Sequence, residues 1–576
     1  MRDKRMQAIL QRIYGKQRAA AAAARIAAVL ETFSPLKPAG QREFFSEADA
    51  ILITYGDTLK RAGERPLRTL HRFAAEHLRG VFSGIHLLPF FPYSSDDGFS
   101  VTDFFAVRPD LGSWEDVRAI GGEFKLMVDL VANHVSAESR WFRNYLAGEK
   151  GFEDLAIEVD PAADLSAVTR PRSLPLLTAF EKRSGSRVHL WTTFSADQID
   201  LNYASLDVLE NMVRALLYYV SQKARIIRLD AVAYLWKQIG TACIHLPQAH
   251  DLVRLLRRIL DLVAPGVILI TETNVPHAEN IRYFGDGRDE AQLVYNFTLP
   301  PLLLYCLARG SARMLTEWAR NLKTPSAATT FLNFTASHDG IGVRPLEGLL
   351  ASADIAWLVD IVLRNGGLVS MRATPDGSQS PYELNITYVD ALRNPFQPDD
   401  PLLVPRFLAS QATVLVLPGV PAVYIHSLLG SRNWDAGVRR TGRARTINRE
   451  NLMADALATQ LDDPQGFRAR VFRPYRELVR LRTRQPAFNP AAGAQVLHLD
   501  DRVFAIKRFC REQTLFALAN LSADALTVAL PEGKRIGMVA DLISRRRFTA
   551  DAVAMPPYGF LWLEGVPLRP SPSTTR

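Results

Sequence analysis

Short apolar runs recur along the chain, and longer stretches whose apolar residues have helical spacing separate them. Eight such runs are present: AILITYG, GIHLLPFFP, KLMVDLVANH, IIRLDAV, GVILITET, QLVYNF, FLNFTASHD and VLVLPGVPAVYI. Continuous apolar runs are typical of parallel strands that helices cover on both faces. Eight of them predict an α/β fold that closes into a (β/α)8 TIM barrel, with an open doubly wound sheet as the alternative.

Two connections between these runs are too long for simple loops and predict inserted lobes after strands 3 and 7. From about Asn489, short alternating runs such as RVFAIKRF and TLFALANL indicate a C-terminal antiparallel β domain. The predicted organisation is an N-terminal helical extension (1–48), barrel segments (49–134, 205–339 and 396–485), inserted lobes (135–204 and 340–395), the β domain (486–566) and a disordered tail (567–576).

Composition and hydropathy argue against a membrane protein. Hydrophobic residues make up 48% of the 576 residues and charged residues 22%, as in soluble proteins. The longest apolar stretch, residues 412–425, is broken by Pro418 and Pro421 and is shorter than the roughly 20 residues of a spanning helix. Arg18 and Arg25 interrupt the alanine-rich N-terminus, which therefore predicts an amphipathic helix rather than a signal peptide.

Charge and cysteine content narrow the possible partners. The net charge is +9, but the arginines are scattered and no nucleic-acid motif is present, which favours a solvated basic surface. Attraction of small anions such as phosphate is a weaker alternative. Cys243, Cys306 and Cys510 are too far apart to indicate a disulfide framework or a zinc site. We therefore expect a cytoplasmic monomer or homodimer with small-molecule substrates and neither nucleic-acid nor membrane partners.

Acidic and basic side chains follow the predicted strands at their C-terminal ends, where the active sites of TIM barrels lie. Asp129 and His134 close the third run, Arg228 and Asp230 the fourth, Glu272 the fifth, and His338 and Asp339 the seventh. One aspartate at a strand end is more often a helix cap or turn residue. Several that converge on one barrel mouth indicate a catalytic site.

The carboxylates on neighbouring strands suit retaining cleavage of a glycosidic bond. That reaction needs one carboxylate as nucleophile and a second, about 5 Å away, as acid and then base. Asp230 and Glu272 follow adjacent predicted strands, and Arg228 points to the same face as Asp230, where it would hold the carboxylate ionised. Neither His134 nor His338 has a second histidine at metal-ligand spacing, so each predicts a sugar contact or a structural role.

Four strings resemble the conserved motifs of the α-amylase family of glycoside hydrolases. RLDAV (228–232), TETN (271–274) and SHDGIG (337–342) resemble its three catalytic motifs, and DLVANH (129–134) its first conserved region. The resemblance implies that Asp230 is the nucleophile, Glu272 the acid/base, and Asp339 the carboxylate that stabilises the transition state. Unlike the calcium-dependent amylases, the branch of this family that the chain resembles implies no cofactor and no metal.

Over about residues 51–481, further strings resemble the sucrose phosphorylase branch of that family. They are LITYGD, HLLPFFP, DDGFS, RPRSLPLL, GTACIH, HDGIG and INRE. The resemblance implies a glucose subsite formed by Asp96, Phe99, His134, Arg228, His338 and Arg445. It also implies that Arg172, Tyr234 and Tyr382 contact phosphate or the leaving sugar.

One position departs from the sucrose phosphorylases. They carry Gln after the tyrosine that matches Tyr382, where it helps to bind fructose, and this chain has Glu383. This pair, with TETNVPH and LGSRN, resembles the glucosylglycerate phosphorylases of the branch, which implies a small hydroxy acid on the acceptor side. Because arginine matches carboxylate geometry, Arg432 is the candidate for binding that acid, followed by Lys237 and Arg172.

Other functions remain open on the sequence. The same chemistry would serve a sucrose or sucrose 6'-phosphate phosphorylase, a hydrolase or a transglucosylase, and dependence of turnover on phosphate separates them. A non-catalytic amylase-like binding subunit is a further alternative, against which the presence of all three carboxylates argues.

Overall fold

The computed structural model describes residues 3–33, 43–172, 174–373, 378–397, 399–531 and 533–566. The predicted disordered tail, residues 567–576, lies outside this description. In the described part of the chain, no helix has the length and apolar character needed to cross a lipid bilayer.

Eight parallel strands form a closed barrel at the centre of the fold. They are β1 (Ile51–Thr54), β2 (Gly84–Leu87), β3 (Lys125–Leu130), β4 (Ala224–Leu229), β5 (Ile268–Thr271), β6 (Leu293–Tyr295), β7 (Thr330–Asn333) and β8 (Val420–Tyr424). Neighbours in the barrel follow chain order, and β1 closes the ring by pairing with β8. The TIM barrel prediction is confirmed, and closure excludes the open sheet.

Helices connect the strands and cover the outside of the barrel. The longer ones are Pro66–His77, Trp114–Glu123, Leu206–Ser221, Pro247–Val263, Leu299–Arg309, Leu403–Val416 and Phe467–Arg482. After β5, only the short helix His277–Asn280 is present, followed by a 3-10 turn. The eighth apolar run is a strand only in its second half, because its first residues end the helix Leu403–Val416 and Pro418 prevents the helix from continuing.

The first lobe follows β3 and consists of two small antiparallel strand pairs and a helix. His134–Ser136 pairs with Gln198–Asp200, Leu177–Glu181 pairs with Arg187–Trp191, and the helix is Arg140–Ala147. The sequence suggested that His134 closes β3, but that strand ends at Leu130. His134 begins the first strand of the lobe instead.

The second lobe follows β7 and contains a three-stranded antiparallel sheet and a helix. Its strands are Ile341–Gly342, Leu368–Ala373 and Gln379–Asn385, and its helix is Ser352–Arg364. His338 and Asp339 were expected at the end of the seventh strand, but β7 ends at Asn333. Both residues lie in the loop that leads from the barrel into this lobe.

The C-terminal segment is an antiparallel β domain with an apolar core of its own, which includes Leu497, Val539 and Leu563. Its six-stranded sheet consists, in spatial order, of Gly493–Asp500, Val503–Phe509, Thr514–Asn520, Phe560–Gly565, Met538–Asp541 and Arg547–Thr549. A separate pair joins Leu526–Val528 to Val553–Met555. Val503–Phe509 and Thr514–Asn520, which contain the runs that predicted this domain, are buried at almost every position, whereas burial alternates in short strands such as Arg547–Thr549 and Val553–Met555.

The N-terminal helix, Lys4–Thr32, packs against two barrel helices, Leu206–Ser221 and Pro247–Val263. Its apolar face, which includes Leu10, is buried in the main core, while its opposite face is exposed. The Arg12 guanidinium contacts the buried Asp251 carboxylate, with 2.7 Å between Nη2 and Oδ1. Apolar burial and this ion pair fix the helix to the outside of the barrel.

Candidate active site

A cavity of about 770 Å³ opens where the C-terminal ends of the barrel strands meet the two lobes. The predicted site residues that line it are Asp96, Phe99, His134, Arg172, Arg228, Asp230, Tyr234, Glu272, His338, Asp339, Tyr382, Glu383 and Arg445. Residues from distant parts of the chain therefore face one space. Both lobes contribute to its walls, Arg172 from the first and Tyr382 from the second.

Strand register places Asp230 and Glu272 side by side. Leu229 of β4 pairs with Thr271 of β5, and Asp230 and Glu272 are the next residues after this pair, so their side chains leave the barrel at the same level. The Glu272 N–H donates to the Leu229 carbonyl at 3.1 Å, and the Ala231 N–H donates to Glu272 Oε2 at 3.2 Å. Ala231 has a φ of 48°, a strained conformation for a residue other than glycine, and such strain is concentrated at functional sites.

Arg228 lies beneath the Asp230 carboxylate. Its Nη1 is 2.8 Å from Asp230 Oδ1 and also bonds the fully buried Asp129. The guanidinium lies over the rings of Phe99 and Tyr295, with each centroid 5.5 Å away. The period-two prediction that Arg228 and Asp230 share a face agrees with this contact, which holds one oxygen of the carboxylate in a fixed position.

The two neighbouring carboxyl groups have different proton affinities. Burial raises the pKa of Glu272 to about 7, and the Asp230 and Asp339 carboxylates add to the rise while Arg228 opposes it. Burial also raises the pKa of Asp230, against the opposing effect of Arg228 and His134. Asp230 bonds a guanidinium directly and Glu272 does not, so near neutral pH the shared proton resides on Glu272. Arg228 thus favours ionisation of Asp230, as expected, but burial limits the effect.

Asp339 is the carboxylate of the cavity with the strongest cationic surroundings. Burial opposes its ionisation, but Arg445, His338 and Arg449 outweigh that effect and hold the pKa of Asp339 well below its usual range. Arg445 Nη1 lies 2.7 Å from Asp339 Oδ1. Asp339 therefore remains a fixed negative charge at every pH near neutrality.

An aromatic platform forms the floor of the cavity. The Phe99 ring stacks on the His338 ring, with centroids 5.0 Å apart and planes at 8°. His134 Nε2 donates to the Phe99 carbonyl at 2.8 Å, which fixes the position of the platform. Gln198, which the sequence analysis did not identify, donates to Asp96 Oδ2 at 3.2 Å. Among the described residues, no group of three or more His, Cys, Asp or Glu side chains could hold a metal ion.

Two cavity arginines differ from the others in their partners. Arg228 and Arg445 each contact two carboxylates, whereas the side chains of Arg172 and Arg344 form no hydrogen bond or ion pair with another described residue. Burial raises the pKa of Tyr234, and both unpaired arginines oppose that rise, so the tyrosine lies close to them. The cavity therefore has cationic groups available for an anionic ligand.

Arg344 is a cavity residue that the sequence analysis missed. It lies five positions after Asp339, in HDGIGVRPL, at the start of the second lobe. The sequence feature that could have identified Arg344 is its position as a cation directly after the third catalytic motif. Asn274, the last residue of TETN, also lines the cavity and was quoted only as part of the motif.

The structure does not bring Lys237 or Arg432 into the cavity. Lys237 is buried behind it, where Nζ forms an ion pair with Asp200 and bonds Asn133 Oδ1 at 2.8 Å, and so supports the loop that carries His134. Arg432 Nε bonds Asp390 Oδ1 at 2.6 Å, and its guanidinium covers the Phe467 ring. Both cations therefore have acidic partners and lie outside the cavity lining, and their assignment to an acceptor stays a prediction that this geometry does not support.

Comparison with known proteins agrees with this geometry. The alpha-amylase catalytic domain family matches residues 79–340. The chain is 48% identical to a glucosylglycerate phosphorylase from Allomeiothermus silvanus over 96% of each chain, and 43% identical to one from Escherichia coli over 96% of this chain and 99% of that one. A crystal structure of sucrose 6F-phosphate phosphorylase from Thermoanaerobacter thermosaccharolyticum is 25% identical, with a TM-score of 0.73 over 87% of this chain and 98% of that one. The protein therefore belongs to the alpha-amylase family, as an enzyme of the branch that contains the sucrose and glucosylglycerate phosphorylases.

Proposed function

We propose that the enzyme is a retaining α-glucoside phosphorylase that reversibly converts 2-O-α-D-glucosylglycerate and phosphate into α-D-glucose 1-phosphate and D-glycerate. The observation that carries this proposal is a cavity that joins three carboxylates to Arg172 and Arg344, whose side chains have no partner among the described residues. Both phosphate and glycerate are anions, and the guanidinium fork matches either of them. The relatives that align over almost the whole chain are named as glucosylglycerate phosphorylases, which supports the same reaction.

In the first half-reaction, the glucose ring lies on Phe99 and the glycosidic oxygen faces Glu272. Glu272 transfers its proton to that oxygen as the bond to the anomeric carbon breaks, and glycerate leaves with the proton. Asp230 attacks the anomeric carbon from the opposite face and forms a β-glucosyl ester. The fixed charge of Asp339 stabilises the positive charge that develops on the sugar.

In the second half-reaction, phosphate takes the place of glycerate. Glu272, now ionised, accepts a proton from the phosphate as a phosphate oxygen attacks the anomeric carbon. The ester bond to Asp230 breaks, and the Asp230 carboxylate is restored. Two inversions give α-D-glucose 1-phosphate with net retention. Arg172 binds the phosphate, because its guanidinium has no acidic partner among the described residues.

Phosphate must outcompete water for the glucosyl ester, which requires a shielded cavity. Tyr382 and Glu383 of the second lobe and Arg172 and Phe194 of the first line the cavity from above the strand ends. The two lobes thus restrict access of bulk water to the anomeric carbon.

Sucrose phosphorolysis is the competing function, and the state of Glu383 argues against it. The Glu383 carboxylate is 2% exposed and is held by Arg445. Arg445 therefore orients this carboxylate, which stands where the sucrose phosphorylases carry a glutamine that helps to bind fructose. The three cysteines are unpaired, which suits a cytoplasmic location, and we propose a monomer or homodimer.

The proposal is tested by phosphate release from α-D-glucose 1-phosphate, with D-glycerate, D-fructose, glycerol or no acceptor in parallel reactions. We expect release that depends on D-glycerate. Release with D-fructose alone would show a sucrose phosphorylase, and equal release without any acceptor would show a hydrolase.

A further inference from the structure

Arg344 is a cation of the cavity to which the mechanism above assigns no role. Arg344 begins the 3-10 turn Arg344–Leu346, whose next two residues are buried. The preceding residue, Val343, donates its N–H to the Tyr382 carbonyl at 3.1 Å. The backbone that carries Arg344 is therefore anchored both in the core and to the strand of the second lobe that lines the cavity.

The Arg344 side chain is poised for an anion. Its Nε is buried and has no hydrogen-bond partner, although a buried donor is normally satisfied. Tyr234 lies within electrostatic reach of both Arg344 and Glu272, whose opposite charges act on it in opposite directions. Arg344 and the acid/base Glu272 therefore line the same cavity, and both influence the pKa of the same tyrosine.

Asn274 offers a second buried polar atom without a partner in the same cavity. It lies two residues after Glu272, and its Oδ1 is buried without a partner. Its side chain packs against Gly342, where a Cβ would lie 2.5 Å from Nδ2, so this close approach requires glycine. Gly342 is two residues before Arg344, so Asn274 packs against the backbone segment that carries Arg344, and both side chains line the cavity that contains Glu272.

We infer that Arg344 and Asn274 form the acceptor subsite, in which the Arg344 guanidinium binds the carboxylate of the hydroxy acid and the Asn274 amide binds its terminal hydroxyl. This assignment rests on the proposed phosphorylase function and specifies its substrate recognition. The carboxylate would satisfy the buried Nε, and the hydroxyl would donate to the orphaned Oδ1. The reacting C2 hydroxyl would then face Glu272.

Position separates this role from that of Arg172. Arg172 lines both the cavity and an outer recess that contains Arg443 and Arg449, whereas Arg344 lines the cavity without reaching that recess. An anion that enters from solvent therefore meets Arg172 first. Arg344 contacts a group that is already held next to the anomeric carbon.

The test uses α-D-glucosyl fluoride as donor, because it carries neither carboxylate nor phosphate. The glucosyl-enzyme is then partitioned among D-glycerate, glycerol and water, and glycerol differs from glycerate in lacking the carboxylate. We expect Arg344→Gln to lower kcat/KM for transfer to D-glycerate by at least about 30-fold, with transfer to glycerol and hydrolysis changed by less than about threefold. Arg344→Lys, which keeps the charge without the fork, should fall between the two.

Arg225→Gln is the matched control, since Arg225 is exposed at the start of β4, at the opposite end of the barrel. Asn274→Ala should erase the preference for D-glycerate over D-lactate, which lacks only the terminal hydroxyl. Equal losses of glycerate and glycerol transfer in Arg344→Gln would overturn the subsite. Failure of the unmodified protein to use D-glycerate, while it still releases fluoride, would instead overturn the proposed function.

Discussion

Arg445 binds Glu383 at two points, with Nε 3.0 Å from Oε2 and Nη2 2.5 Å from Oε1. The remaining Nη1 contacts Asp339. One guanidinium therefore connects the carboxylate beside the reaction centre to a buried carboxylate of the second lobe. Glu383 therefore helps to hold Arg445 in place, and we expect it to act as a positioning residue rather than as a contact for an acceptor sugar.

Replacement of Glu383 by glutamine should reduce activity on every donor. The neutral amide would leave Arg445 with one carboxylate fewer, and we expect kcat/KM to fall by roughly 10- to 100-fold, the effect of weakening one buried charged contact. Steady-state kinetics with glucosylglycerate and with α-D-glucosyl fluoride measure the loss, and the thermal unfolding midpoint checks the fold. The ratio of glycerate to fructose use should stay constant. A variant that gained fructose transfer without loss on the fluoride would place Glu383 at the acceptor instead.

Replacement of Glu272 by glutamine should affect donors according to their leaving groups. Glycerate needs a proton in order to leave, so phosphorolysis of glucosylglycerate should fall by about 10²- to 10⁴-fold. Fluoride leaves without protonation, so fluoride release from α-D-glucosyl fluoride in the first turnover should be retained within about tenfold. Rapid-quench measurement of both donors gives the comparison. Loss of both activities to the same extent would argue against Glu272 as the acid.

The pH dependence of kcat/KM should report the ionisation of Glu272. Its pKa is raised to about 7, and the protonated form performs cleavage, so activity is present below that pH and lost above it. We expect kcat/KM for glucosylglycerate phosphorolysis to fall about tenfold per pH unit at pH values above the pKa. The profile for α-D-glucosyl fluoride should lack this limb, because that donor needs no proton. If both donors lost activity over the same alkaline pH range, that loss would have to come from the ionisation of a group other than Glu272.

The N-terminal helix should contribute stability but no chemistry. Leu10 is completely buried between this helix and the barrel, so Leu10→Ala should lower the free energy of unfolding by about 2–5 kcal/mol. Gln11→Ala, on the exposed face of the same helix, is the control and should change it by less than about 0.5 kcal/mol. Denaturant titration measures both. Neither residue lines the cavity, so kcat/KM should remain unchanged; a loss of activity in folded Leu10→Ala would couple the helix to the site.

The barrel was predictable because its strands are buried on both faces and therefore read as continuous apolar runs. The number of runs favoured a closed barrel, and the structure then excluded the open sheet and gave the order of the strands. Strand limits were less accurate: the eighth run contains the end of a helix, and His134 and Asp339 lie beyond the strands they were assigned to. Apolar composition marks burial, and burial alone does not distinguish the end of a helix from the start of a strand.

The sequence by itself indicated the family, the barrel and the three carboxylates, because the motifs are contiguous strings and the buried strands are continuous apolar runs, both of which can be recognised before the fold is known. Only the tertiary structure decided which cations are available for ligands. Arg432 and Lys237 resembled anion-binding residues in the sequence, but Asp390 and Asp200 occupy them, and Arg344 remains unpaired in the cavity among the described residues. Whether a charge is free depends on partners from distant parts of the chain, and folding alone brings those partners together.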